Sequence, residues 1–440
     1  MKRLRFYITL IIAKITHKAI KILGKTSGTS FVGMLSLKLC PDFLKFCRKY
    51  IKNSVITVTG TNGKSTTSGL IAHILDIAHQ KVIHNLEGAN MLTGVANVFA
   101  LDIMPFKRYD YAVIESDEAY LTKLYDYMKS DYLVVTNLFR DQLDRYGELD
   151  TTAGFIKNAI SKNPNLKLIL NADDPIVSTF KGSNYTVYYG FENVEYETDK
   201  TSNAPSEIFN CSCGTALSYS KRFFAQEGHY FCKNCGYARP KCDYGANVKV
   251  LSDSSIITLD IKGIKFEFTI KLTGLYNAYN ALAAIAFGFE NGLNQSEIQK
   301  ALDSYKSIFG RTETRTINGN EVLIQLIKNP TGASEVLKTV DLSTNIVVAI
   351  NDNYADGRDI SWLWDSDFEK LKNAQKPVIA SGTRAYDTAL RLKYAGIPQD
   401  KIIIEPNFKK AVDMASKAGK TTILPSYTAL LSIKNDKERK

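Results

Sequence analysis

The sequence predicts an α/β protein built on a doubly wound parallel sheet, and three observations support this prediction. First, the β-branched run at residues 55–58 leads into a glycine-containing loop that ends in Lys64 and Ser65, and an apolar helical stretch follows directly. Second, further apolar runs have the length and composition of buried parallel strands, at residues 111–114, 132–135 and 168–170. Third, helix-length segments separate these runs, and such alternation is typical of the doubly wound architecture.

The chain has 440 residues, which is more than one hydrophobic core holds, and we predict three parts. Residues 1–52 form an N-terminal basic arm. Residues 53–312 form a central nucleotide-binding domain that carries an insertion at about residues 205–245. Residues 313–440 form a smaller C-terminal α/β domain, whose strand-like runs lie at residues 322–324, 346–350 and 378–380.

The composition is that of an ordinary globular protein, with 45% hydrophobic and 23% charged residues. The formal net charge of +11 favours an anionic partner. Nucleotide phosphates, an anionic membrane surface, a pyrophosphate-bearing substrate and nucleic acid all satisfy this condition. The charge alone does not choose among them.

The N-terminal arm has the spacing of an amphipathic helix, with basic residues such as Lys14, Lys18 and Lys21 recurring among apolar ones. Its apolar run at residues 6–13 is much shorter than the roughly 20 residues of a membrane-spanning helix, and no clear signal-peptide cleavage site follows it. Two interpretations stay open and can coexist: a helix docked on the domain, or a basic helix on a membrane surface. We therefore expect a cytoplasmic protein, either free or peripheral at the inner face of the plasma membrane.

The loop after the first predicted strand has the composition of a phosphate-binding loop. Its glycines let backbone N–H groups turn toward an anion, and the N-terminus of the following helix adds a partial positive charge. The Lys64 ammonium can reach the β- and γ-phosphates, and the Ser65 hydroxyl can hold Mg²⁺. Val58 stands where the common form of this loop has its first glycine. We predict that ATP binds to Gly60, Thr61, Asn62, Gly63, Lys64, Ser65 and Thr66.

Acidic residues follow the strand-like run at residues 111–114, where a parallel strand would face the ligand crevice. Mg²⁺ prefers oxygen ligands, so Glu115 is the predicted magnesium ligand beside Ser65. The next acidic residues, Asp117 and Glu118, also suit the start of a helix, because the helix dipole favours negative charge there.

Four of the seven cysteines lie in one short cluster, as Cys-x-Cys and Cys-x-x-Cys. In a cytoplasmic protein, clustered cysteines indicate metal ligands rather than disulfides. We predict that Cys211, Cys213, Cys232 and Cys235 bind Zn²⁺ in a structural zinc ribbon, with Cys242 as a possible substitute ligand. Zinc ribbons often bind nucleic acid, which keeps that alternative open.

Five motifs occur in an order that resembles the Mur ligase family of ATP-dependent enzymes, which activate a carboxylate as an acyl phosphate. They are Gly-Thr-Asn-Gly-Lys-Ser-Thr, Thr-Asn-x-x-x-Asp-x-Leu-Asp, Asn-Ala-Asp-Asp-Pro, the helix start around Asn277, and Gly-Arg-Thr-Glu at Arg311. The resemblance implies that Asn277 and Arg311 contact the nucleotide. Two departures stand out: Gln142 replaces a histidine metal ligand of many Mur ligases, and residues 326–332 replace the usual C-terminal signature.

An acidic loop with both tryptophans follows the apolar run at residues 346–350. Together with the cysteine cluster and the loop at residues 326–332, it resembles the MurT family, the large subunits of lipid II isoglutaminyl synthases. The resemblance implies amidation of the D-glutamate α-carboxylate in the lipid II stem peptide, with ammonia from a GatD-like glutamine amidotransferase in a heterodimer. An Asp of this loop would complete the partner's Cys-His pair, with Asp352 as the first candidate and Asp356 as the second.

Two other functions remain as alternatives. One is a Mur- or folylpolyglutamate-type ligase that adds an amino acid, against which the altered loop at residues 326–332 argues. The other is a zinc-ribbon protein that binds nucleic acid under the control of ATP. We expect no nucleic-acid partner, and we expect ATP, Mg²⁺ and Zn²⁺ as cofactors.

Overall fold

A computed structural model describes most of the chain: residues 2–22, 29–85, 89–140, 149–182, 185–196, 210–251, 253–306 and 311–435. The described part contains two large sheets and one small one. The prediction of an α/β fold with a doubly wound parallel sheet is confirmed.

Three helices precede the first strand: α1 (Lys2–Ile22), α2 (Thr29–Leu39) and α3 (Phe43–Arg48). Phe6 and Leu10 of α1 are buried in the same hydrophobic core as Phe43 of α3 and Phe99 of the central sheet's helical layer. One face of α1 is therefore docked on the domain, as the first of the two interpretations predicts. Among the described residues, no helix is long and apolar enough to span a membrane.

The first sheet has nine strands in the order β11-β10-β9-β6-β5-β4-β1-β3-β2. The seven strands that lie between β2 and β9 in this order, both included, are parallel to their neighbours. Strand β10 is antiparallel to β9 on one side and to β11 on the other. Their bounds are β1 (Ile51–Thr59), β2 (Val82–His84), β3 (Tyr109–Glu115), β4 (Tyr132–Val135), β5 (Lys167–Asn171), β6 (Tyr185–Tyr196), β9 (Tyr244–Val250), β10 (Ser255–Ile261) and β11 (Ile264–Ile270).

Helices cover both faces of this sheet, and each face has its own hydrophobic core. They are α4 (Lys64–Ile77), α5 (Leu92–Asp102), α6 (Glu118–Tyr127), α7 (Leu149–Ser161), α8 (Leu275–Glu290) and α9 (Gln295–Ser304), with a short 3₁₀ helix at Val177–Thr179. Strand β1 lies between β3 and β4. The strand order therefore reverses at β1, and ligands of open α/β sheets bind at such a switch point.

The cysteine-rich segment forms a small unit between β6 and β9. Its core is the antiparallel hairpin of β7 (Ser218–Phe224) and β8 (Glu227–Phe231), and the two cysteine pairs flank this hairpin. The hairpin tip is buried: neither Gln226 nor Glu227 exposes any surface.

The second sheet has six strands in the order β12-β13-β17-β14-β15-β16, parallel except for β12. Its strands are β12 (Arg311–Ile317), β13 (Asn320–Gln325), β14 (Asn345–Ala349), β15 (Val378–Ser381), β16 (Ile402–Ile404) and β17 (Thr421–Pro425). Its α-helices are α10 (Pro330–Thr339), α11 (Ala385–Tyr394), α12 (Phe408–Lys417) and α13 (Tyr427–Asn435), and 3₁₀ helices lie at Ser361–Leu363, Phe368–Leu371 and Gln399–Lys401. We propose that each large sheet with its helices is one domain.

Candidate functional site

The loop between β1 and α4 lies at the switch point of the first sheet. Gly60 and Gly63 adopt φ angles of +123° and +84°, which side chains other than glycine rarely tolerate. A Cβ atom at Gly63 would collide with the Asn280 side chain of α8, and one at Gly60 would collide with Thr136. Both glycines are therefore required for the loop to fit beneath its neighbours.

Lys64 begins helix α4, and its side chain is held inside the loop. Its Nζ donates to the backbone oxygen of Gly60 and, over 3.3 Å, to that of Thr61. It also forms an ion pair with Glu118, 3.1 Å from Oε1, and both side chains are less than a tenth exposed. The ammonium thus lies among the loop carbonyls, and a buried carboxylate balances its charge.

Ser65 and Glu115 lie together, although they come from different elements. Ser65 Oγ donates to Glu115 Oε2 over 2.6 Å, and Asn90 Nδ2 donates to the other carboxylate oxygen over 3.3 Å. The Glu115 backbone is fixed by Asn85, whose side chain bonds both its N–H and its C=O. Two oxygen ligands at the carboxyl ends of β1 and β3 fit Mg²⁺, which takes oxygen ligands and usually keeps several waters.

His84, at the end of β2, is part of this site, and the motifs did not indicate it. Its Nε2 lies 3.2 Å from Ser68 Oγ of α4. Burial lowers the pKa of His84 to about 4, against an opposing effect of the Glu115 carboxylate. The imidazole is therefore neutral at physiological pH, so it adds no positive charge beside Glu115.

The remaining predicted loop residues hold the loop to neighbouring strands. Thr61 Oγ1 donates to the Phe139 carbonyl over 3.0 Å, and the Asn62 N–H donates to Asn137 Oδ1 over 2.9 Å. Thr66 is buried in the first turn of α4. These contacts fix the loop to the residues that follow β4.

The loop before α10 reaches across from the second sheet to the phosphate-binding loop. Asn329 Nδ2 donates to Asn62 Oδ1 over 2.9 Å, and Lys328 Nζ donates to the Thr61 carbonyl over 3.4 Å. Asn329 also caps α10 by accepting the N–H of Gly332. The segment that replaces the usual Mur ligase signature thus contacts the loop between β1 and α4.

Helix α8 carries two asparagines toward the loop. Asn277 Nδ2 donates to the Thr273 carbonyl, and its Oδ1 accepts from Asn280 Nδ2 over 3.3 Å. Asn280 Oδ1 accepts the Thr67 hydroxyl of α4. Asn280 therefore links α8 to the helix that follows the loop. It is not among the residues predicted to bind ATP.

Two predictions lie wholly or partly outside what the structure describes. Arg311 begins β12, where its backbone lies opposite Gln325, but its side chain is outside the described residues. Gln142 lies within residues 141–148, which are also outside them. The proposed nucleotide contact of Arg311 stays a prediction.

The four clustered cysteines converge at one end of the ribbon. The sulfur atoms of Cys211 and Cys235 lie 3.5 Å apart, as do those of Cys213 and Cys232, and all four lie within 4.8 Å of one another. A tetrahedral zinc with bonds of about 2.3 Å requires sulfur separations of about 3.8 Å, so the cluster fits Zn²⁺.

Cys242 lies outside this cluster and has another role. Its sulfur accepts from Arg239 Nη2 over 3.0 Å. The Arg239 guanidinium also pairs with the fully buried Asp173, 2.5 Å from Nε to Oδ1, and Tyr279 of α8 donates to the second carboxylate oxygen over 2.9 Å. A buried ion pair thus ties the ribbon to β5 and α8.

The acidic loop after β14 places its two candidate carboxylates in different surroundings. The Asp352 side chain is 32% exposed, accepts the Thr383 hydroxyl over 2.8 Å, and lies 3.5 Å from Arg384 Nη1. Asp356 is buried and accepts both the N–H and the hydroxyl of Thr428 at the start of α13. Asp352 is therefore accessible, whereas Asp356 fixes the loop to a helix.

The comparisons with known proteins agree with this geometry. A Mur ligase middle domain matches residues 58–288, and a MurT ligase C-terminal domain matches residues 326–430. The fold resembles a pseudomurein peptide ligase type C from Methanothermus fervidus, with a TM-score of 0.68 and 24% identity over 89% of this chain and 79% of that one.

Two relatives resemble the chain over nearly its whole length. The lipid II isoglutaminyl synthase (glutamine-hydrolyzing) subunit MurT of Staphylococcus aureus strain COL is 36% identical over 97% of this chain and 96% of its own. The subunit of the same name from Streptococcus pneumoniae strain R6 is 35% identical over 97% and 95%. The fold and site define an ATP-dependent ligase of the Mur ligase class. The chain belongs to the MurT family.

Proposed function

We propose that the chain amidates the α-carboxylate of D-glutamate in the lipid II stem peptide, forming D-isoglutamine. ATP converts the carboxylate to an acyl phosphate, and ammonia from a GatD-like glutaminase partner displaces the phosphate. The observation that carries this proposal is the presence, in one chain, of the buried cluster of Lys64, Ser65 and Glu115 and of the accessible Asp352 beside a second sheet. The names of the relatives supply the substrate class and indicate that the protein is one subunit of a complex.

For the activation step, the roles follow from the contacts around the phosphate-binding loop. Lys64 would neutralise the charge on the transferring phosphoryl group, and Ser65 and Glu115 would hold Mg²⁺. The magnesium ion supplies further charge neutralisation when it is bound. The rigid loop, fixed by Thr61 and Asn62, keeps these groups in position.

In the step that supplies ammonia, the proposed role belongs to the exposed carboxylate of Asp352. Asp352 would orient and stabilise the histidine of the partner's Cys-His pair, as the acid of a catalytic triad does. Its exposure and the neighbouring Thr383 and Arg384 leave the carboxylate fixed at the surface. Asp356 is the weaker candidate, because both its oxygens bond Thr428.

An aromatic surface next to Asp352 supports a partner at this place. Tyr386, Leu390 and Tyr394 recur every fourth residue of α11 and are 70%, 48% and 69% exposed. Trp364 is 51% exposed and contacts Tyr394 edge to face, with ring centroids 5.6 Å apart. Exposed aromatic residues concentrated on one face are typical of protein interfaces. We call these four residues the α11 surface and propose that the glutaminase partner binds there.

The ribbon would hold Zn²⁺ in a structural role, since four cysteine ligands fill a tetrahedral site and leave no open position for a substrate. Removal of the metal should therefore lower the melting temperature before it affects chemistry. Cys232→Ser, which removes one ligand, should bind less zinc by elemental analysis. Retention of full zinc content would contradict the proposed ligand set.

The outer face of α1 supports a location at the membrane, where lipid II lies. Leu4, Ile8, Ile11 and Ile15 are 65%, 47%, 59% and 62% exposed, and their spacing places them on one face, opposite the buried Phe6 and Leu10. Lys18 and Lys21 beside this face are also exposed. We propose that α1 binds an anionic lipid surface through this face.

The enzymatic proposal is tested with the full chain, ATP, Mg²⁺, lipid II and ammonium chloride, without a partner. We expect ADP release that depends on lipid II, and an amidated stem peptide by mass spectrometry. If lipid II stays unchanged here and also with glutamine and the partner, the proposal is wrong.

The membrane proposal is tested by sedimentation with vesicles of phosphatidylglycerol or of phosphatidylcholine alone. We expect binding to the anionic vesicles only, and at least about tenfold less for Ile11→Ser/Ile15→Ser. Ile264→Ser, an exposed isoleucine of β11, is the control and should bind as the wild type does. Equal binding by all three proteins would contradict the proposal.

A further inference from the structure

A cavity of about 100 Å³ lies beside the phosphate-binding loop and extends to the ribbon and the second sheet. Asn62 and Gly63 of the loop, Asn277 of α8, Glu227 of the ribbon and Gln325 of β13 contribute to its walls. The phosphates of ATP bind at the loop, so the rest of the nucleotide extends into this adjoining space. This placement of the nucleotide rests on the proposed function.

Two residues that line the cavity, Glu227 and Gln325, each have one buried side-chain oxygen without a hydrogen-bond partner among the described residues: Glu227 Oε2 and Gln325 Oε1. Glu227 is fully buried and Gln325 is 2% exposed. The other polar atoms of both side chains are used, since Asn171 donates to Glu227 Oε1 over 2.9 Å and Gln325 donates to Thr339 over 3.2 Å. Buried polar atoms are costly without partners, so these two indicate a ligand that supplies them.

We propose that Glu227 and Gln325 bind the Watson–Crick edge of the adenine base, so that the zinc ribbon selects ATP. This edge presents an acceptor, N1, beside a donor, the 6-amino group. Gln325 Oε1 is an acceptor for the amino group. The Glu227 carboxyl, when it is protonated, offers both a donor and an acceptor.

The surroundings of Glu227 favour that protonated form. Burial raises the pKa of Glu227 well above its usual value, and the carboxylates of Asp174, Asp173 and Glu335 raise it further. A neutral carboxyl group is better suited to bind an uncharged nucleobase than a negatively charged phosphate.

Contacts with neighbouring segments hold the hairpin tip that carries Glu227 in a fixed position. Gln226 Nε2 donates to the Leu138 carbonyl over 2.8 Å. Phe224 also lines the cavity, and its ring meets Phe139 edge to face at 5.4 Å. Lys338 of α10 lies 6.0 Å from the centre of the Phe224 ring. The ribbon thus forms one wall of the cavity, in addition to any metal-binding role.

The test compares ADP with inosine diphosphate, whose base has N1–H and a 6-oxo group in place of N1 and the 6-amino group. Calorimetry with the full chain and Mg²⁺ should give at least about tenfold tighter binding of ADP. The 6-oxo group of inosine would set an acceptor against Gln325 Oε1, and its N1–H would take away the acceptor to which the protonated Glu227 donates. Equal affinities would overturn this inference and leave the proposed function intact. Failure of both nucleotides to bind would instead contradict the proposed function.

Variants separate recognition from structure. Glu227→Ala should lose most of the preference for ADP, whereas Glu227→Gln, which keeps a donor and an acceptor, should retain most of it. If Glu227→Ala does not fold, Gln325→Leu tests the second contact and should also reduce the preference. Glu192→Gln is the control, because this carboxylate contacts the ribbon at Arg239 and does not line the cavity. Equal weakening of both nucleotides by Glu227→Ala and Gln325→Leu would show a structural role only.

Discussion

Two polar segments follow parallel strands in this molecule, one at the end of β1 and one at the end of β14. In the first, Lys64 and Ser65 are less than a tenth exposed, and their partners are Glu118 of α6 and Glu115 of β3. In the second, Asp352 is about one-third exposed and its loop lies beside the α11 surface. The first segment is buried and bonded on several sides, whereas the second presents the Asp352 carboxylate to the outside.

This difference corresponds to the two halves of the proposed reaction. Activation of a carboxylate by ATP requires a dry, rigid site, because electrostatic stabilisation is strongest where water is excluded. Release of ammonia from glutamine would use a cysteine nucleophile, and the partners of Asp352 among the described residues, Thr383 and Arg384, include no cysteine.

Asp352→Asn should lower glutamine-dependent amidation by about a thousandfold or more, because the partner's histidine loses its orienting charge. Amidation with ammonium chloride should stay at the wild-type rate. Both rates are measured by ADP release in the presence of lipid II. Asp356→Asn is the matched control, and it should lower the melting temperature rather than separate the two rates. If Asp352→Asn leaves both activities intact, the second segment is not the partner's site.

Lys64→Ala should lower both activities together, by about 10²- to 10³-fold, because the transferring phosphoryl group loses a positive charge. Lys123→Ala, on an exposed position of α6, should change neither activity. A Lys64→Ala protein that still releases ADP at the wild-type rate would show that activation occurs elsewhere.

His84→Gln tests the burial of the first segment through pH. The folded pKa of His84, about 4, lies below its unfolded value of 6.5, so the unfolded chain binds the proton more readily. Its contribution to stability is therefore present above pH 6.5 and is lost as the pH falls toward 4, by up to about 3 kcal/mol.

Denaturant unfolding at several pH values measures this effect. His84→Gln should lose less stability than the wild type between pH 6.5 and 4. Burial raises the pKa of Asp174 to about 6, which acts in the opposite direction, but it is common to both proteins and cancels in the difference. Parallel pH profiles would contradict a partly buried, neutral His84.

Tyr386→Ala and Tyr394→Ala should weaken partner binding by about 2 kcal/mol each, since exposed tyrosines at interfaces are often hot spots. Calorimetric titration with the glutaminase measures this change. Ammonia-dependent amidation should not change. Tyr185→Ala, an exposed tyrosine of the first sheet, is the control. Unchanged affinity of both α11 variants for the partner would show that the partner binds elsewhere.

Local patterns predicted the strands and the loop chemistry well. The run at residues 111–114 lies within β3 (Tyr109–Glu115), and the run at residues 132–135 coincides with β4 (Tyr132–Val135). Lys64 and Ser65 were identifiable because strand, glycine loop and helix are contiguous in sequence. The lengths of such elements follow from hydrophobic periodicity alone.

Contacts between distant segments were not predictable in this way. Asn62 and Asn329 are 267 positions apart, and no local pattern pairs them. Glu227 reaches the nucleotide cavity only because the ribbon hairpin folds inward, and His84 joins the site only because β2 lies beside β3. The periodicity of α1 left its outer face open to two interpretations, since a docked helix and a membrane helix share the same spacing.

The most direct test of the account follows nitrogen from glutamine to lipid II. Glutamine labelled with heavy nitrogen in its side-chain amide is supplied with ATP, Mg²⁺, lipid II and the glutaminase partner. We predict that the label enters the α-carboxamide of the stem peptide only when both proteins are present, and that Asp352→Asn abolishes its transfer. Label incorporation by this chain alone, or undiminished transfer by Asp352→Asn, would contradict the division of the reaction between two chains.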